Sequence, residues 1–159
     1  MWNGNFQDIV AAAPQPGMCT AAADGSTDKV RQLLADGKNI EEKGGVKDST
    51  PLHYASVSGE AAVVVLLLEH KADVSAKTKF DESTPLHLAA VQGHEKIVLL
   101  LLEHKADISA QTGEDSTPLH LAAFRGRQAG AFPFCFLPNG LIAPCRWGLG
   151  PRPARTWRL

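Results

Sequence analysis

The sequence predicts an all-α solenoid, a stack of helix–turn–helix units whose last member is incomplete. Three observations predict it. Thr50-Pro51-Leu52-His53-Tyr54-Ala55 recurs as Thr84-Pro85-Leu86-His87-Leu88-Ala89 and as Thr117-Pro118-Leu119-His120-Leu121-Ala122, at separations of 34 and 33 residues. A glycine follows each motif at one offset: Gly59, Gly93 and Gly126. The eight residues Leu66 to Asp73 are identical to Leu100 to Asp107. A period of this length marks a repeat architecture, in which no unit buries its apolar face alone and each is covered by its neighbour.

Taken along the chain, residues 1–15 read as a flexible N-terminal segment. No basic stretch precedes the run Ile9 to Ala13, which is too short for a signal-peptide core. A degenerate first repeat follows. Gly25 and Leu33-Leu34 keep the register of Gly59 and Leu67-Leu68, but Pro16 to Cys19 stand where the motif should be. Lys29, Arg31 and Gln32 replace Val63, Val65 and Leu66, so this unit is polar on one side, as the exposed end of a solenoid requires.

The complete repeats explain themselves chemically. Thr84 is a helix N-cap and Pro85 the first helical residue: the hydroxyl accepts an orphan backbone N–H, and proline's fixed φ suits the first turn. Leu86, Leu88, Ala89 and Ala90 give a short apolar face small enough for close approach, and Gly93 can stop the helix in a left-handed conformation. A second helix is expected from about Glu95 to His104, carrying Ile97, Val98 and Leu100 to Leu102. Helices this short do not persist singly in water. Lys71 and Lys105 stand where the first repeat has Gly37, a place for a left-handed residue, at a cost of roughly 1–2 kcal/mol each. The fourth repeat stops halfway. Gly126 is expected to end its first helix, and no apolar helix pattern follows. Residues 127–159 read as an irregular Gly/Pro/Arg-rich tail, expected to originate by splicing or read-through, with a designed tail as the alternative.

These motifs resemble the ankyrin-repeat family over about residues 16–126, on the strength of T-P-L-H-x-A repeated at the family's period. The resemblance implies a β-hairpin finger between units, such as Ser75 to Ser83, and the change from 34 to 33 residues places the variable residue at a fingertip. It also implies that a partner protein docks on the concave face made by fingertips and first helices. Transferred position by position, the implied contacts are Val46, Lys47 and Asp48; Val57 and Ser58; Phe80, Asp81 and Glu82; Val91 and Gln92; Glu114 and Asp115; Phe124 and Arg125. Asp48, Asp81, Glu82, Glu114 and Asp115 would make that face acidic and suited to a basic partner. Phe80 and Phe124 are its aromatic anchors.

Other chemistry is weakly represented. Net charge is −1, which favours neither nucleic acid nor a membrane surface. The total hides an asymmetry: ten basic and seventeen acidic residues up to Phe124, then six arginines and no acid. That arginine-bearing tail is an alternative contact for nucleic acid or an anionic surface, and a shortened form without stable function is a second alternative. Three cysteines, Cys19, Cys135 and Cys145, fit a reducing compartment, cytoplasmic or nuclear. Cys19, in a motif histidine's place, reads as a small buried apolar residue. His53, His87 and His120 recur once per repeat, and helices 8–10 Å apart cannot bring two rings onto one zinc. Each ring is expected to bond its own threonine and a neighbouring hairpin carbonyl. His70 and His104 are expected to close second helices. No nucleotide loop, nucleophile elbow or zinc-protease motif occurs. The chain thus reads as a monomeric, non-enzymatic module without cofactor or metal, and the runs Ala61 to Leu68 and Ile97 to Leu102 are too short to span a bilayer.

Overall fold

A computed structural model of the chain describes residues 17–45, 47–129, 134–136 and 142–144. Seven helices lie among these residues. They are α1 (Met18–Ala23), α2 (Thr27–Ala35), α3 (Pro51–Ser58), α4 (Ala61–Glu69), α5 (Pro85–Gln92), α6 (Glu95–Glu103) and α7 (Pro118–Ala129). The first helices α1, α3, α5 and α7 pack side by side in chain order, and α2, α4 and α6 form the row behind them. This is the stacked solenoid that the repeat period predicts.

The helix starts follow from the Thr-Pro motif, with one refinement. Thr50 and Thr84 are the N-caps and proline opens each helix, but the cap is reciprocal with the histidine two residues after the proline. The Thr50 N–H donates to His53 Nδ1 at 3.2 Å, and Thr84 N–H to His87 Nδ1 at 3.2 Å. Gly59 and Gly93 end α3 and α5 at φ 87° and 76°, where a side chain would be strained. Lys71 and Lys105 both adopt φ 64°, and Gly37 in their register has φ 72°. His70 and His104 are the C-cap residues of α4 and α6.

Packing separates the repeats as their sequences suggest. Val63, Val64, Leu66, Leu67 and Leu68 of α4 are buried, whereas Val30 is the only fully buried residue of α2. Val65 and Leu99 face outward from the second-helix row. Leu52, Leu67, Leu86, Ile97 and Leu101 are fully enclosed between layers. Each such side chain contributes about 1.5–3 kcal/mol by leaving water.

The first repeat keeps the stack while changing the cap. Its helix starts at Met18, with Gly17 as N-cap and the Gly17 N–H bonded to Thr20 Oγ1 at 3.0 Å. Thr20 therefore does in α1 what histidine does in α3 and α5.

Two expectations are corrected at the C-terminal end. Gly126 does not stop the last first-helix; α7 continues through it to Ala129. A glycine turn gains stability when the reversed chain can pack a second helix, and the sequence after Gly126 carries no apolar helix pattern. The region after 127 is also not irregular throughout. Phe134–Phe136 (β1) pairs antiparallel with Ile142–Pro144 (β2), with Phe134 opposite Pro144 and Phe136 opposite Ile142.

Candidate functional site

The connections between repeats form three fingers. In the first, Gly44 and Ser49 exchange backbone hydrogen bonds at 2.9 and 3.1 Å. In the second, Thr78 N–H donates to the Ser83 carbonyl and Thr78 Oγ1 accepts from Ser83 N–H. Thr112 and Ser116 repeat this in the third, one residue shorter, so the change of period does fall at a fingertip. Adjacent fingers are tied by one recurring bond: Lys79 N–H to the Lys47 carbonyl, then Gly113 N–H to the Asp81 carbonyl, both at 3.0 Å. The tip residues Asp48, Glu82 and Asp115 occupy the same register and all have φ between 48° and 55°. Acidic side chains in the left-handed region are uncommon, and three in register mark a repeated turn geometry.

Behind the fingers, a histidine column joins each first helix to the next finger. His53 Nε2 lies 3.1 Å from the Ser83 carbonyl, and His87 Nε2 lies 3.1 Å from the Ser116 carbonyl. A carbonyl only accepts, so Nε2 carries the proton and Nδ1 serves as acceptor for the threonine N–H. Burial lowers the His53 pKa to about 4, against the opposing pull of the Ser83 carbonyl. Burial also lowers the His87 pKa, opposed by the Ser116 carbonyl. These rings act as neutral stitches, as their place in the motif predicts. His120 makes the same bond to its own threonine at 3.3 Å, but it is exposed, with no partner for Nε2 among the described residues.

Cys19 occupies the histidine's register in the first repeat and points at the same target. Its Sγ lies 3.2 Å from the Glu42 carbonyl and 3.7 Å from that of Ser49, the residue preceding the next motif. Burial, followed by the nearby Glu42 charge, pushes its thiol up to about 12. Such a thiol is protonated and unreactive at neutral pH.

The candidate contact residues divide into three groups. Val46 lies outside the described residues. Val57 and Val91 are only 3% exposed, so they belong to the core and not to a docking face. Ser58 and Gln92 are half-buried. Phe124, in the same register as the two valines, is 58% exposed because no further repeat covers it, and Arg125 beside it is exposed. Lys47, Asp48, Phe80, Asp81, Glu82, Glu114 and Asp115 do come together on the fingers, and Phe80 is 64% exposed.

Electrostatics along the fingers is graded, a feature invisible without the three-dimensional register. Lys47 pairs with Asp81 at 3.4 Å, Lys79 with Asp48 at 3.7 Å, and Lys77 with Glu82 at 2.9 Å. Three of the five acids are thereby neutralised. The third finger has Gln111 and Gly113 in place of Lys77 and Lys79, and Glu114 and Asp115 make no ion pair among the described residues. Uncompensated negative charge therefore gathers on the third finger.

Among the described residues, no group of three or more His, Cys, Asp or Glu is placed to hold a metal ion, and no helix is long and apolar enough to cross a membrane.

Comparison with known proteins adds the following. Residues 7–78 match the family model described as ankyrin repeats (3 copies), and residues 86–134 match that described as ankyrin repeats (many copies). The first match begins ahead of residue 16 and the second extends past 126, the limits drawn from the sequence. Among curated proteins, the palmitoyltransferase ZDHHC13 of Pongo abelii and that of Homo sapiens are each 40% identical to this chain over 53 residues. That alignment covers 33% of this chain and 8% of either relative.

Proposed function

The chain belongs to the ankyrin-repeat family, and on that premise we propose that it is a protein-interaction module that holds a basic partner surface against its second and third fingers. The observation that carries the reading is the juxtaposition of a largely exposed Phe80 with a neighbouring finger whose Glu114 and Asp115 lack counter-charges. An exposed aromatic beside uncompensated charge supplies both elements of a recognition patch: apolar contact area for affinity and charge for orientation and encounter rate. The fingers are tied to each other by backbone hydrogen bonds and to the helices by buried histidines, so little ordering remains to be done on binding. Lys47, Asp48, Asp81 and Glu82 form the paired, nearly neutral flank of this patch.

The module works without catalysis, as a monomer, in the cytoplasm or nucleus, on the sequence grounds given above. Palmitoyl transfer is not proposed for it, because the shared segment is 8% of the relatives that carry that name.

Affinity capture with the whole chain as bait tests the reading. Partners retained by the native chain should be lost with Phe80→Ala combined with Glu114→Lys and Asp115→Lys, and should weaken as salt rises. Retention of the same partners by the triple variant would overturn it.

A further inference from the structure

We propose that Glu114, Asp115 and His120 form a docking site for a tight turn of a partner protein, one that carries a lysine or arginine. This rests on the finger reading and narrows its basic partner to one kind of segment.

The second finger shows how such a turn is held. Lys79 donates its backbone N–H to the Lys47 carbonyl at 3.0 Å and places its ammonium 3.7 Å from the Asp48 carboxylate. Further along the same turn, the Ser83 carbonyl accepts from His53 Nε2 at 3.1 Å. A carbonyl, a carboxylate and an imidazole N–H of one repeat thus grip the turn of the next. The third finger is held by the first and last of these groups, through the Asp81 carbonyl and His87.

In the register of the repeats, Lys47, Asp48 and His53 correspond to Glu114, Asp115 and His120. The same three groups are open there. Among the described residues the Glu114 carbonyl accepts no hydrogen bond, Asp115 makes no ion pair and His120 Nε2 has no partner. The local geometry matches as well. Asp48 and Asp115 have φ 48° and 55°, and His53 and His120 Nδ1 lie 2.8 and 2.9 Å from their own threonine hydroxyls. Nδ1 is occupied by the Thr117 N–H, so Nε2 is the donor for an incoming carbonyl. Beside the ring, Leu119 is 40% exposed where Leu52 is 1%, so a covering segment also gains apolar contact. Charge selects the occupant: Glu114 and Asp115 repel an acidic turn and attract a cation placed as Lys79 is on Asp48. A second copy offers no such turn from its second finger, because Lys79 N–H and the Ser83 carbonyl are already engaged within the fold. The turn therefore belongs to a different protein.

A head-to-tail cyclic peptide of the sequence Lys77 to Thr84, titrated at millimolar concentration into the isotope-labelled full chain, tests the site by NMR. The amide signals of Glu114, Asp115 and His120 should move and the His120 Nε2–H should exchange more slowly, with Lys47, Asp48 and His53 unaffected. Lys79→Glu in the peptide should weaken binding by about fivefold, the worth of one exposed ion pair. His120→Ala in the full chain should weaken it by about the same factor, the worth of one hydrogen bond. Unmoved signals would overturn the proposal, as would equal affinity for the Lys79→Glu peptide. Affinity capture separates this inference from the finger reading. Natural partners lost with Glu114→Lys and Asp115→Lys and also with His120→Ala would support both. Partners lost with the acid variants but kept by His120→Ala would leave the basic-partner reading standing and overturn the docked turn.

Discussion

Repeat three and repeat four carry the same motif and meet different fates. Leu86 and His87 are enclosed, and the His87 ring reaches the Ser116 carbonyl. Leu119 and His120, in the same register of α7, are exposed, although the bond from Thr117 N–H to His120 Nδ1 is intact. The local signal thus builds the helix and its cap, while burial comes from the next unit. Stability in such a stack resides in interfaces between repeats more than in the repeats themselves. A core position in this chain is therefore defined by register plus the presence of a following neighbour.

The sharpest break of this comparison is a truncation made in both repeats. Leu86→Ala should cost about 2–5 kcal/mol, since it empties an enclosed site, whereas Leu119→Ala should cost about 1 kcal/mol or less. Urea unfolding followed by circular dichroism measures both. Equal losses would mean that α7 is as well covered as α5.

Acid comes next in size. The unfolded chain binds a proton at each histidine near pH 6.5, but His53 in the folded state takes one only near pH 4. Between those values the unfolded state holds more protons, so stability falls as pH is lowered from about 6.5 to about 4. Above that window the ring is neutral in both states and contributes no slope. His53 alone accounts for at most about 3 kcal/mol, and His87, whose pKa is also lowered, acts in the same direction. Unfolding midpoints measured across this range should decline, and His53→Gln should flatten the decline.

A smaller gain is expected from Lys105→Gly. Relief of the left-handed side chain, less the extra freedom of glycine in the unfolded chain, leaves about 0.5–1 kcal/mol of stabilisation. Thermal melts showing no rise would contradict it. Smallest is Lys79→Ala. It removes a 3.7 Å pair between exposed groups and should change stability by less than about 0.5 kcal/mol.

What the sequence made legible follows the same division. The Thr-Pro starts, the histidine stitches, the left-handed lysines and the polar first repeat depend on residues close in sequence or one period apart, so repetition exposes them. The docking face was harder to read. Val57 and Val91 look like variable surface positions, yet both are buried in the stack, which no single repeat can reveal. The finger charges look uniformly acidic until Lys47, Lys77 and Lys79 are placed against Asp81, Glu82 and Asp48. Gly126 looks like a helix stop, but a stop also requires something for the reversed chain to pack against. Thr20 replacing histidine in the cap of α1 had a faint signal, a hydroxyl three residues after Gly17.

In this stack the following repeat completes each motif histidine. Nitrogen-correlated NMR of the imidazole rings at neutral pH reads it directly. His53 and His87 should show slowly exchanging Nε2–H protons and His120 a rapidly exchanging one. Three equally protected rings, or three equally exposed ones, would contradict it.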